Sequence, residues 1–229
     1  MAAESAEIAW RLNAVQERIH AAARRSGRAN SVRLVLASKT QPPLMIRAAY
    51  QAGARDFGEN YVQEALAKQA ALADLEDIRW HLIGHLQTNK ARTAAASFDI
   101  IHSLDSPRLA DALARARPDP PMRVLVEINL GGEASKTGIA PDEAEALLRA
   151  VNGKVEVLGL MAIPPPGAGP EHSRPYFVRL RQLRDRLAAA TGIALSELSM
   201  GMTDDFEVAI EQGATIVRVG RAIFGERPR

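Results

Sequence analysis

The chain alternates two hydrophobic rhythms. It opens with Ile8, Leu12, Val15 and Ile19 at helical spacing, one apolar stripe of an amphipathic helix. From Val32 onward, short apolar runs take turns with longer segments rich in Ala, Leu, Arg and Glu. The runs are VRLVLAS from Val32, ARDFG from Ala54, RWHLIG from Arg79, FDIIHSL from Phe98, MRVLVEINL from Met122, VEVLGLMAI from Val155, LSELSMG from Leu195 and TIVRVG from Thr215. Several are nearly continuous, as strands covered on both faces must be. The segments between them, such as VQEALAKQAALADL, SPRLADALARA, PDEAEALLRAV and YFVRLRQLRDRLAAA, predict helices.

Eight strand-helix units favour a closed, single (β/α)8 TIM-type barrel over an open doubly wound sheet. The expected domain is residues 1–229, with an extra N-terminal helix over 1–28 packed on the barrel. ARDFG is the weakest strand. Ile163 to Pro175 is predicted as one surface loop, because proline fixes its own backbone angle and lacks a ladder donor. Neither interrupts the rhythm enough to divide the chain.

Composition narrows the chemistry. Hydrophobic residues make up 47% and charged residues 24%, the profile of a globular chain that fills a core. The absence of cysteine excludes disulfides, thiolate metal sites and thiol nucleophiles. Glu4 and Glu7 stand where a signal peptide needs basic residues, and no apolar stretch has the length of a membrane span. A cytoplasmic protein with no membrane partner is expected. The net charge is only +2, and arginines such as Arg24, Arg25, Arg28, Arg179 and Arg186 are interleaved with acids, so no nucleic-acid partner is expected.

In such a barrel the chemistry sits where strands end and helices begin. Of the five lysines, Lys68 lies in a helical pattern, Lys90 opens a helix, Lys136 sits in a loop and Lys154 follows a turn glycine. Lys39 alone ends a buried strand. An amine held there among apolar groups and another cation shifts toward its neutral, nucleophilic form, suited to Schiff-base chemistry. The bland reading, a lysine that snorkels to solvent, stands beside it.

The turns SMGMTDD and RVGRAIFG follow the seventh and eighth strands, where barrels commonly hold a phosphate with backbone N–H groups. Gly201 and Gly220 would let the backbone approach closely, and Ser199 adds a hydroxyl. Arg218 interrupts an apolar strand, where a guanidinium is costly without a partner. Two readings remain: a donor to a pyridine nitrogen, or a structural salt bridge with a carboxylate. His81 and His85 do not converge on a metal if they lie on a strand and turn. Asp204 and Asp205 read as helix-capping acids.

Seven segments in order, LVLASKTQP, ARDFGENYVQEA, WHLIGHLQTNKAR, IHSLDS, VLVEINLGGEASKTGI, GLMAI and LSMGMTDDFEVAIEQGATIVRVGRAIFG, resemble the pyridoxal phosphate homeostasis protein family. The match runs from about Val32 to Gly225. It implies a fold like the N-terminal barrel of alanine racemase and a cofactor, pyridoxal phosphate (PLP), held as an aldimine on Lys39. It further implies Asn60 near the ring, Met161 lining the pocket and Arg218 at the ring nitrogen. Ser199, Met200, Gly201, Gly220 and Arg221 are placed around the phosphate. Many relatives carry a small hydroxyl residue where this chain has Arg221.

Two functions remain open. One is a non-catalytic carrier that masks PLP and hands it to PLP-dependent apo-enzymes, expected to be a monomer. Its support is that the chain stops after the last barrel strand, without a second domain to supply an opposing acid or base. The other is a small PLP-dependent amino-acid racemase, with Tyr61, His85 or His102 as proton carrier.

Overall fold

The computed structural model describes residues 2–27, 32–133 and 136–225, so Arg28 lies outside the described residues. All eight predicted strands form. They are β1 (Arg33–Ala37), β2 (Asp56–Glu59), β3 (Arg79–Leu82), β4 (Ile100–Leu104), β5 (Arg123–Glu127), β6 (Glu156–Met161), β7 (Glu197–Ser199) and β8 (Ile216–Val219). Each pairs in parallel with its sequence neighbours, and β8 closes on β1 with Val35 opposite Arg218. The weakest predicted run, ARDFG, contributes three residues to β2, and Glu59 just beyond it completes a strand buried along its whole length and paired with β3 from Asp56 to Glu59.

The helices cover the outside of the barrel. They are α1 (Ala2–Arg25), α2 (Pro43–Gln51), α3 (Val62–Ala71), α4 (Ala91–Ser97), α5 (Pro107–Ala116), α6 (Ala144–Val151), α7 (Arg174–Thr191), α8 (Phe206–Glu211) and α9 (Arg221–Phe224). The predicted stripe of α1 is buried in full: Ile8, Leu12, Val15 and Ile19 are each 3% exposed or less. The helix packs against α2, α8 and α9. Arg18 lies over the Phe206 ring at 4.6 Å, and Arg18 and Arg25 pair with Glu207 and Glu211 of α8.

Strand alternation creates two cores. Residues such as Leu36, Phe57, Leu82, Ile101, Val126 and Val217 point outward and meet the helices. Val35, Ile100, Leu125, Met161 and Ile216 form a smaller cluster inside the bore. The bore also holds polar side chains, which need partners there because no water replaces a lost hydrogen bond.

Two local expectations are corrected. The segment Ile163 to Pro175 is not one loop: a single 3-10 turn forms at Pro170–Ser173, and α7 already begins at Arg174. Pro175 fits in the first helical turn, where its missing N–H leaves no bond unmade. Asp205 does occupy the N-cap of α8, but its carboxylate accepts from the Met202 N–H at 2.7 Å and makes no side-chain bond to the helix. Asp204 pairs with Arg221 instead.

Candidate functional site

A cleft of about 580 Å³ opens at the rim formed by the carboxyl ends of the strands. Lys39, Asn60, Arg218, Gly220 and Arg221 line it, together with Gln41, Ile83, Met202 and Thr203, none of which the sequence had singled out. Met161 and Ser199, both 0% exposed, lie beneath this surface. Met200 packs in the outer core, and Gly201 lies against Phe206 and Ala209 of α8.

Lys39 stands two residues beyond β1, in a turn that ends at Thr40 with a left-handed φ of 66°. A β-branched residue rarely adopts this conformation, so the surroundings must hold the turn. They do so from both sides. Ser38 donates its backbone N–H to Gly58 O at 2.9 Å and its hydroxyl to Glu59 Oε1 at 2.6 Å. Its carbonyl accepts from Lys68 Nζ at 2.7 Å. On the far side, the Thr40 N–H donates to Glu64 Oε1.

Lys68 ties these groups together. Its ammonium, only 6% exposed, donates to Glu59 Oε1 at 2.8 Å and Glu64 Oε1 at 2.7 Å. Burial pushes the Glu59 carboxyl up, and the bonds from Lys68 and Ser38 draw it back only in part. Burial also opposes ionisation of Glu64, but bonds from Lys68 and Thr40, aided by the charges of Lys68 and Lys39, carry it below its ordinary value. The helical pattern had marked Lys68 as ordinary. It is a buried cation one residue layer behind Lys39.

Arg218 is 4% exposed. Its guanidinium donates to Ser199 O at 2.8 Å, to Ser199 Oγ, and to Ala162 O at 3.1 Å. Among the described residues no carboxylate forms an ion pair with it. The structural salt bridge considered from the sequence is therefore not what holds it. Burial lowers its pKa to about 10, with the charges of Glu127 and Asp205 pulling the other way, so it stays a cation at neutral pH.

The last two turns are shaped by close approach. Gly201 has φ of 92°, and a Cβ there would lie 2.5 Å from Ala209 Cβ. A Cβ on Gly220 would lie 2.8 Å from Ala37 O. Both backbones thus sit closer to their neighbours than any other residue permits. Gly220 is the N-cap of α9, and its carbonyl accepts from the Ile223 and Phe224 N–H groups at 2.9 Å each. Arg221 bonds both oxygens of Asp204 across this turn.

The remaining sequence candidates separate. His85 is on the surface, 3.4 Å from Asp105, whereas His81 is sealed in the bore. Tyr61 is 65% exposed at the start of α3. His102 is 0% exposed and bonded through both ring nitrogens, to His81 and Ser199 at 2.9 Å each. It has no face toward the cleft to serve as a proton carrier there.

A closed parallel barrel with a lysine after β1, an arginine on β8 and tight glycine turns after β7 and β8 defines the alanine racemase N-terminal domain type. That family matches residues 10–228 of the chain. The pyridoxal phosphate homeostasis protein of Aquifex aeolicus is 49% identical over 222 residues, covering 95% of this chain and 97% of that protein. The protein of that name from Pseudomonas aeruginosa is 47% identical over 225 residues, with 96% of each covered. The solved structure of PipY from Synechococcus elongatus, with PLP bound, is 40% identical and covers 95% of this chain and 100% of its own, with a TM-score of 0.84. The chain belongs to the pyridoxal phosphate homeostasis protein family.

Proposed function

We propose that this protein binds pyridoxal phosphate at the cleft and serves intracellular PLP homeostasis as a carrier. The observation that carries the reading is a buried guanidinium, Arg218, that has no carboxylate ion-pair partner among the described residues and lines the same cleft as Lys39. The pairing of Val35 with Arg218 sets β1 and β8 side by side, so both cations rise from adjacent strands.

The donor set suits the cofactor. Lys39 would hold the aldehyde, and Asn60 would lie beside the ring. Arg218 would donate to the ring nitrogen, with Met161 beneath it; Ser199, expected at the phosphate, is buried and bonded to Arg218 and His102 instead. Met200, Gly201, Gly220 and Arg221 belong to the two turns that would take the phosphate. When bound, PLP supplies an aldehyde carbon and an electron-withdrawing ring. A permanently protonated guanidinium would keep the ring nitrogen unprotonated and weaken that withdrawal, which favours carriage over carbanion chemistry. The seclusion of His102 supports the same reading, since it removes one of the three candidate proton carriers of a racemase.

Among the described residues no helix is long and apolar enough to cross a membrane. A cytoplasmic monomer that passes PLP to apo-enzymes fits the proposal, and sedimentation with a fluorescence transfer assay tests both parts. The decisive experiment is titration with PLP, borohydride reduction and peptide mass mapping. An adduct on Lys39 that is lost in Lys39→Ala is expected; an adduct on Lys136 or Lys154 overturns the assignment. Rapid α-proton exchange on an amino acid would restore the racemase reading.

A further inference from the structure

A continuous line of side chains runs through the bore, from the floor of the barrel to the cleft. Arg79 Nη2 pairs with Asp56 Oδ2 at 2.6 Å. Asp56 Oδ1 lies 3.0 Å from His81 Nε2, His81 Nδ1 lies 2.9 Å from His102 Nε2, and His102 Nδ1 lies 2.9 Å from Ser199 Oγ. Ser199 Oγ then accepts from Arg218. The side chains of His81, His102 and Ser199 are 0% exposed.

The two ends fix the direction of every bond between them. Arg218 can only donate, and an ionised Asp56 can only accept. Burial alone would raise Asp56, but the bonds from Arg79 and His81 outweigh it and hold the carboxyl below its usual range. His81 must therefore carry its proton on Nε2. A neutral His81 then accepts on Nδ1, so His102 also carries its proton on Nε2. His102 Nδ1 accepts from the Ser199 hydroxyl, which leaves the serine lone pairs to Arg218.

We propose that His81, His102 and Ser199 are positioning residues for Arg218, forming a one-way relay of neutral donors and acceptors anchored on Asp56. The relay aims the guanidinium at the cleft without offering it a competing charge. One added proton reverses it. A cationic His81 would donate from Nδ1 to His102 Nε2, His102 would donate from Nδ1 to Ser199, and the serine hydroxyl would lose its acceptor.

The charges acting on His81 are Asp56 from β2, Arg33 from β1 and Asp99 before β4; Arg79 from β3 is paired to Asp56, and the His102 ring from β4 meets His81 edge-on. Those acting on His102 are His81, Arg218 and Arg33. Burial lowers both imidazoles, and the carboxylates near His81 resist this only in part. The effect on a bound ring rests on the proposed PLP reading; the relay itself does not.

Ring nitrogen NMR of 15N-histidine-labelled protein tests the relay directly. Both His81 and His102 should be neutral Nε2–H tautomers at about pH 7. A charged ring, or an Nδ1–H tautomer at either position, overturns the proposal. In a second arm, His102→Phe should weaken PLP binding by about tenfold, a loss of one charge-assisted alignment, while inorganic phosphate binding stays unchanged. His102→Gln, which keeps an acceptor and a donor, should recover part of the loss. Equal PLP affinity in wild type and folded His102→Phe would refute the positioning role. A wild type that takes no PLP but shows the stated tautomers would refute the carrier reading alone.

Discussion

Lys68 Nζ donates to the carbonyl oxygen of Ser38 at 2.7 Å, joining a helix lysine to the residue just before Lys39. The same ammonium faces Glu59 and Glu64, so the turn that presents Lys39 is fastened by a buried ion cluster. Glu59 Oε2 is itself buried without a hydrogen-bond partner among the described residues.

Removing the cation should therefore be costly. Lys68→Met leaves two carboxylates without their shared donor, and loss of one partner of a buried pair costs about 3–5 kcal/mol. Urea unfolding measures it. Adding Glu59→Gln should recover part of the loss. A Lys68→Met protein destabilised by less than about 1 kcal/mol would mean the cluster behaves as a surface pair.

Acid should weaken the fold before the carboxylates titrate. His81 and His102 have folded-state pKa values below the unfolded value of about 6.5, so between the two values the unfolded chain binds more protons. Stability is full above the unfolded value and falls as pH drops below it, by about 1.4 kcal/mol per pH unit for each imidazole. Asp56, held low, adds the same sign in the carboxylate range, while Glu59 and Glu127, held up by burial, act oppositely there. A urea midpoint that stays constant from pH 7 to about pH 5 would contradict this.

The Arg221–Asp204 pair should compete with an anion. Asp204 is three-quarters exposed and bonds Arg221 beside the turn proposed to take the phosphate. Asp204→Asn removes the internal competitor and should tighten inorganic phosphate binding about threefold, with Arg221→Thr reversing the gain. Calorimetry with phosphate reads both. Weaker binding in Asp204→Asn would show that Asp204 supports the anion site.

The N-terminal helix should behave as part of the barrel. Leu12 is completely buried, and Leu12→Ala should cost about 2–5 kcal/mol in the single unfolding transition. A separate early transition, with the barrel unaffected, would show that α1 is an appendage.

The barrel was legible because each strand carries its own apolar run and each helix its own spacing. The place of Lys39 and Arg218 at the cleft was legible for a related reason: a charge at the end of, or inside, an apolar strand is conspicuous locally. Lys68 was not, since its partner Glu59 belongs to another element and the i,i+4 pair with Glu64 resembles any surface pair. His81 and His102 are 21 positions apart, and alternation can assign each to the bore side of its strand. Only the register between β3 and β4 brings them into contact. The start of α7 at Arg174 was not legible, because proline marks a helix start as readily as a break.

The ladder between β1 and β8 also sets an order of events in synthesis. Strand β1 leaves the ribosome before the other seven strands, yet one of its two neighbours, β8, follows all of them, and the face of α1 that meets α8 and α9 waits comparably long. Until then a pairing edge and an apolar stripe are open to other chains. Closure of the ring is thus a late, long-range event. The nascent protein should depend most on chaperone protection just before its eighth strand emerges.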